Sequence, residues 1–238
     1  MEFIKKLKQK QENPTGAAPV TIAFLGDSVT QGCFELYQDG EKGFETEFRV
    51  EAGYHSKLRQ LLQLCYPAAP VNMIHAGISG DNAPSALKRL DRDVLAFHPD
   101  LTVVCFGLND CSLGADQMNL YQDALEGIFG KLQAAGSEVI FMTPNLMAET
   151  VSYEVAPEFR EMYRTMTAHY QDFLLYMETA RRVCRKQGIP ICDCCRKWEI
   201  LKQNGVCVER LLSNRINHPT EDMHWLFAVS LFEMIQGI

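Results

Sequence analysis

The sequence predicts an α/β protein built on a parallel β-sheet. Short β-like apolar runs alternate with helical stretches almost without a break from residue 20 to the C-terminus. There are five such runs, a number that suits a doubly wound sheet, and the stretches between them carry apolar residues at helical spacing. At 238 residues the chain is long enough to bury a substantial core, and the simplest reading is one domain over 20–238 with an N-terminal extension over 1–19.

The elements follow in chain order. In the extension Phe3, Ile4 and Leu7 share a helical face, with Lys5, Lys6, Lys8 and Lys10 opposite. One turn of apolar contact is too little to hold a membrane surface, so a frayed or docked terminal helix is expected. Strands are expected at 20–25, 71–74, 101–106, 138–142 and 189–193. Tyr121, Leu125, Ile128 and Leu132 mark a helix that Gly136 stops. Phe159, Met162, Met166, Tyr170, Phe173, Met177, Ala180 and Cys184 form a longer stripe, which predicts one helix from near Pro157 to Gly188. Its spacing is that of a core face, and no cofactor is called for. A last helix after Pro219 is expected to carry Trp225, Val229, Phe232 and Ile235 inward. The segments 33–50 and 143–155 read as long connections, which in a compact domain are often functional.

Composition narrows the function. A formal net charge of −7 opposes attraction to phosphate backbones, and the aromatic residues are not interleaved with basic clusters, so nucleic acid is not an expected partner. The first residues are charged where a secretory signal needs an apolar run, and no stretch approaches the length of a membrane span. A cytoplasmic protein without stable membrane insertion is expected. Nine cysteines, an odd count, argue for thiols rather than a disulfide framework. Cys192, Cys194 and Cys195 lack the chelating spacing and second ligand pair of a zinc site, so 189–195 reads as a buried strand end and no metal is expected.

In a parallel sheet ligands bind outside the carboxyl ends of the strands, so the segments that follow each strand matter most. The first strand is followed by Gly26-Asp27-Ser28-Val29-Thr30-Gln31-Gly32, which places a serine where a helical turn begins and free N–H groups can meet a developing oxyanion. Taken alone, Asp27 and Ser28 are equally a helix cap. The second strand is followed by His75-Ala76-Gly77-Ile78-Ser79-Gly80-Asp81-Asn82, where glycine lets the backbone aim an N–H at a ligand or simply makes a tight turn. The third is followed by Gly107-Leu108-Asn109-Asp110, with an amide able to donate to the same point or to cap a turn. Three strands thus deliver hydroxyl or N–H donors to one edge.

These blocks, with His218-Pro219 near the C-terminus, resemble in order and spacing the four sequence blocks of the SGNH (GDSL-like) hydrolases, from residue 20 to the end. The resemblance implies a flavodoxin-like three-layer α/β/α sandwich with five parallel strands. It implies Ser28 as nucleophile and His218 as base. The Ser28 N–H, the Gly80 N–H and the Asn109 side chain would form the oxyanion hole, and the substrate would be an ester or thioester. The absence of an export signal and of a long apolar lid favours a short acyl group on a soluble small molecule or carbohydrate. The chemistry suits the residues, since a serine hydroxyl needs a neighbouring base and histidine titrates near working pH.

Two positions depart from the family pattern. The family often has asparagine where His75 stands, and usually has aspartate three residues before the histidine, where this chain has Arg215. His75 lies at the productive edge, either contacting substrate or merely ending a strand. His98-Pro99 precedes the third strand and falls at the wrong end of the sheet. His218 is expected in a loop that its proline keeps extended, whereas His224 would lie inside the last helix, off its apolar stripe and exposed or merely packed. Asn214 or a backbone carbonyl is a candidate to hold the ring's other nitrogen. Glu221 or Asp222 would qualify only if the last helix began later, and Glu221 would be the acid if His224 were the base. An α/β-hydrolase is excluded because no serine sits in G-x-S-x-G. The alternative from another class is a non-catalytic ligand-binding protein that keeps this fold.

Overall fold

The computed structural model describes residues 1–37 and 44–238. In chain order its elements are α1 (Glu2–Glu12), β1 (Val20–Gly26), α2 (Ser28–Gln31), β2 (Cys33–Tyr37), β3 (Phe44–Phe48), α3 (Tyr54–Cys65), β4 (Val71–Gly77), α4 (Ala83–Asp93) and β5 (Leu101–Cys105). There follow α5 (Met118–Ala134), β6 (Glu138–Met142), α6 (Arg160–Thr167), α7 (Tyr170–Gln187), β7 (Ile191–Cys192), α8 (Cys194–Gln203) and α9 (His224–Gln236).

The five expected strands form one parallel sheet in the order β4-β1-β5-β6-β7, which is 2-1-3-4-5 by appearance and therefore flavodoxin-like. Every residue of β1 and β5 is buried, because helices cover both faces and leave no position where a polar side chain would reach water. α4, α5 and α7 pack together as one layer, and α3 packs with α9 as the other. Gly26 is in register with both Gly77 and Cys105, so three adjacent strands end level and release their loops onto one edge.

The extension is docked. Phe3 and Leu7 are fully buried in the main core, and the Phe3 N–H donates to Glu138 Oε2 at 2.6 Å.

The structure corrects four expectations. The segment 33–50 is not a plain connection, because β2 and β3 pair antiparallel within it. The long stripe is two helices that part at Ala168 and His169. In α6 Met162 and Met166 are exposed, while Tyr163 turns inward onto Val155 and Ile216 in a small core of its own. The inward face of α9 is His224, Phe227, Ala228, Leu231 and Ile235, whereas Trp225 and Val229 are exposed. His224 takes an apolar slot, its ring stacked on Tyr54 and tilted against Phe34, which shifts the arc by one residue. Finally, Cys194 and Cys195 begin α8 after the Asp193 cap instead of continuing the strand, although both are buried as expected.

Candidate active site

The site begins where β1 stops. The Asp27 carboxylate accepts the Val29 N–H at 3.0 Å and caps α2, a single turn closed by Gly32. α2 sits directly on the end of β4: a Cβ at Gly77 would lie 2.4 Å from the Gln31 nitrogen, so only glycine allows that approach. This seating presents Ser28 at the sheet edge, with its Oγ 2.8 Å from His218 Nε2. Both residues are about one-twentieth exposed.

His218 lies in a loop held by a dense set of bonds. The Asn214 Oδ1 accepts the backbone N–H groups of Ile216, Asn217 and His218 at 2.9, 2.9 and 3.0 Å. The Asn214 carbonyl accepts the Tyr163 hydroxyl, and the Asn217 carbonyl accepts the Asn145 amide. The Ser213 N–H donates to the His218 carbonyl, and Leu212 bridges Pro219. The Asn214 side-chain oxygen is thus engaged by loop backbone.

The other two donor loops meet beside β1. Gly80 has φ +77° with open space beyond its Cα, so backbone conformation rather than crowding requires glycine there. The Asn109 amide donates to the Asp81 carbonyl at 2.9 Å, which sets the side chain against the loop carrying Gly80. Asp110 Oδ1 accepts the Ala83 N–H at 2.9 Å and ties the β5 loop to the start of α4. Burial pushes Asp27 up to about 7, opposed by the Val29 N–H and reinforced by the charges of Asp110 and Asp81. Burial likewise raises Asp110 to about 7, against the Ala83 N–H.

The remaining candidates lie elsewhere. His75 pairs with Phe24 in register on the edge strand β4 and packs edge-on against His55 at 3.9 Å, yet it stays exposed; partial desolvation lowers its pKa. His224 is fully buried and its Nδ1 accepts the Tyr54 N–H at 3.0 Å, completing the start of α3; burial holds it down at about 3. α9 does begin later than the sequence suggested, yet Glu221 pairs with Arg49 at 2.9 Å and faces Lys57 at 3.9 Å instead of a histidine. Asp222 is exposed in the preceding turn. Arg215, with φ +61°, pairs with Glu154 at 3.0 Å. Asn145 and Tyr163 were missed. Asn145 follows β6 at the productive edge, a placement that the strand-end rule could have picked out. Tyr163 sits one residue off the expected stripe and gave no such signal.

A cavity of about 250 Å³ opens beside Asn109 and Asn217, floored by Leu108, Cys111, Met147 and Ile216. A larger open hollow of about 560 Å³, lined by Tyr153, Arg160 and Arg164 among others, contains none of these loops, so size is not the guide to the site. Among the described residues no group of three or more His, Cys, Asp or Glu could hold a metal ion, and no helix is long and apolar enough to cross a membrane.

Comparison with known proteins agrees with this fold. The chain is 29% identical over 132 residues to an acetylxylan esterase of Geobacillus stearothermophilus, a match covering 52% of this chain and 58% of that enzyme's length. A solved variant of an acetylxylan esterase from that organism, described as a catalytic mutant with serine replaced by alanine, superposes with a TM-score of 0.67 at 19% identity, over 92% of this chain and 95% of that one. A two-domain esterase active on acetylated mannans superposes with a TM-score of 0.68 at 18% identity, over 98% of this chain and 53% of that one. The model of the GDSL-like lipase/acylhydrolase family matches residues 24–226. With the flavodoxin-like sheet and the serine, glycine and asparagine loops along one edge of it, the chain belongs to the GDSL-like lipase/acylhydrolase family.

Proposed function

We propose that this chain is a serine esterase that removes a short acyl group from a soluble small molecule or carbohydrate through an acyl-enzyme. The observation that carries the reading is the 2.8 Å contact between Ser28 Oγ and His218 Nε2 at the carboxyl end of β1, beside β5, where the strand order reverses. With Nε2 unprotonated, His218 takes the hydroxyl proton as Oγ attacks the ester carbon. The carbonyl electron pair moves onto oxygen, where the Ser28 N–H, the Gly80 N–H and the second amide hydrogen of Asn109 receive it. His218 returns the proton to the alcohol oxygen as the C–O bond breaks, and water then releases the acyl group by the same steps.

One observation supports a short acyl group on a carbohydrate. The relatives named above act on acetylated polysaccharides by their descriptions. We place the protein in the cytoplasm, a reading supported by seven of its nine cysteines being buried thiols.

A panel of p-nitrophenyl esters from acetyl to palmitoyl tests the proposal. Acetate and its near homologues should turn over fastest, Ser28→Ala and His218→Ala should remove nearly all turnover, and Asn109→Ala should lose about a hundredfold. A preference for palmitate overturns the short-acyl reading. Folded wild-type protein that shows neither turnover nor fluorophosphonate labelling at Ser28 is a ligand-binding protein instead.

A further inference from the structure

We propose that Arg89, on α4 behind the site, is a positioning residue that holds the three oxyanion-binding loops in register. The inference rests on the oxyanion roles proposed for Ser28, Gly80 and Asn109. Arg89 is 8% exposed, and its guanidinium grips groups from two of the three loops. Its Nε and Nη2 lie 2.7 and 2.6 Å from the Asp81 carboxylate, and Nη2 also donates to the Gly26 carbonyl at 3.2 Å. Nη1 reaches Asp93 on its own helix at 3.3 Å.

Each gripped group stands next to a proposed donor. Asp81 follows Gly80 in the chain, so holding its carboxylate anchors the backbone one residue beyond the Gly80 N–H. The Asp81 carbonyl accepts the Asn109 amide at 2.9 Å, so the same residue sets the direction of the second donor. Gly26 lies two residues before Ser28, and its carbonyl also accepts the Ile78 N–H at 3.1 Å, where the β4 loop starts. Every proposed donor is thus one hydrogen bond or one or two residues away from a residue held by Arg89. A planar guanidinium can span a carboxylate and a carbonyl at once, whereas a lysine ammonium is a point charge on a flexible stem. Arg89 touches neither Ser28 Oγ nor His218, so it should act on oxyanion stabilisation and leave proton transfer alone.

The test uses Arg89→Lys, Arg89→Met, Asp81→Asn and the Arg89→Met/Asp81→Asn double variant. Losing Arg89 alone leaves Asp81 buried without its cation and risks unfolding, and the double variant removes both charges. Circular dichroism and thermal melting select the folded variants, and p-nitrophenyl acetate kinetics follow. Misplacing a reacting group by about 1 Å can cost a hundredfold, so kcat should fall ~10- to 100-fold in every folded variant, Arg89→Lys included, with KM within about threefold. The double variant should lose no more than the worse single one, because the residues act as a unit. The midpoint of the pH–rate profile should stay in place, and Arg92→Met, a solvent-exposed neighbour paired only with Asp93 among the described residues, should leave kcat unchanged. A folded double variant with wild-type kcat overturns the proposal, as does a loss confined to KM. Wild-type turnover by Ser28→Ala in the same assay would instead overturn the esterase reading on which it rests.

Discussion

Asn214 stands four residues before His218 and is fully buried, with one side-chain oxygen accepting three successive backbone N–H groups. An unpaired buried N–H costs about 1–3 kcal/mol, so this oxygen substitutes for the water the loop has lost. It also fixes the backbone from which the imidazole reaches Ser28. Asn214→Ala is therefore expected to lower kcat on p-nitrophenyl acetate at least about tenfold, since a small misplacement of a reacting group is enough for that. Asn214→Asp keeps the acceptor while losing the 2.9 Å donation to Asn217 Oδ1, and should stay within a few-fold of wild type. Equal losses in the two variants would mean that the acceptor is not what matters. His224 teaches the converse. Near the same loop in sequence, it serves as a ring in the core and an acceptor for α3, so His224→Ala should reduce stability well before it reduces the turnover of folded molecules.

At the scale of elements, the central strands β1 and β5 were legible because burial on both faces leaves an unbroken apolar run, as in Ile22, Ala23, Phe24 and Leu25 of β1. The donor loops were legible for a related reason: glycine, serine and asparagine stand out where a strand of the sheet ends. Other features carried no such mark. The β2–β3 hairpin mixes polar and apolar residues, and no glycine or proline announces the break between α6 and α7. The α9 face was read one residue out because histidine counted as polar, although its ring packs as an aromatic. Position 215 could not reveal how the base is held, since Asn214 acts through the loop backbone and Arg215 points to Glu154. α1 offers a direct test of element-level packing. Phe3 and Leu7 are fully buried against the core that carries the sheet, so Phe3→Ala should cost about 3 kcal/mol in urea unfolding. A cost under about 0.5 kcal/mol would show the helix to be dispensable to the fold.

Over the whole molecule, four buried ionisable groups oppose one another in their effect on stability. His55 and His224 sit in the layer of α3 and α9 and are held by burial at about 2 and about 3, below their ordinary 6.5. As pH falls below 6.5 the unfolded chain takes up protons on both while the folded one does not, so they remove stability toward acid. Asp27 and Asp110, on the edge that carries the proposed site, are raised from 3.8 to about 7. Between those values the folded chain holds protons that the unfolded one has released, so these two groups remove stability as pH rises from 3.8 to 7. Two protons against two leave their joint slope near zero between roughly pH 4 and 6.5, where each proton alone is worth about 1.4 kcal/mol per pH unit. The carboxylates lowered by basic partners, such as Asp93 beside Arg92, add an acid-side loss only below their ordinary value of 3.8. Single substitutions should therefore tilt the profile in opposite directions. His224→Asn keeps an acceptor for the Tyr54 N–H but cannot titrate, so relative to wild type its stability should rise as pH falls from 6.5 to 4. Asp27→Asn keeps the cap on Val29, and relative to wild type its stability should fall over the same interval, its advantage being greatest above pH 7. Urea unfolding of the three proteins at pH 4, 5, 6, 7 and 8 measures this directly, and parallel profiles would show that neither group changes its ionisation on folding.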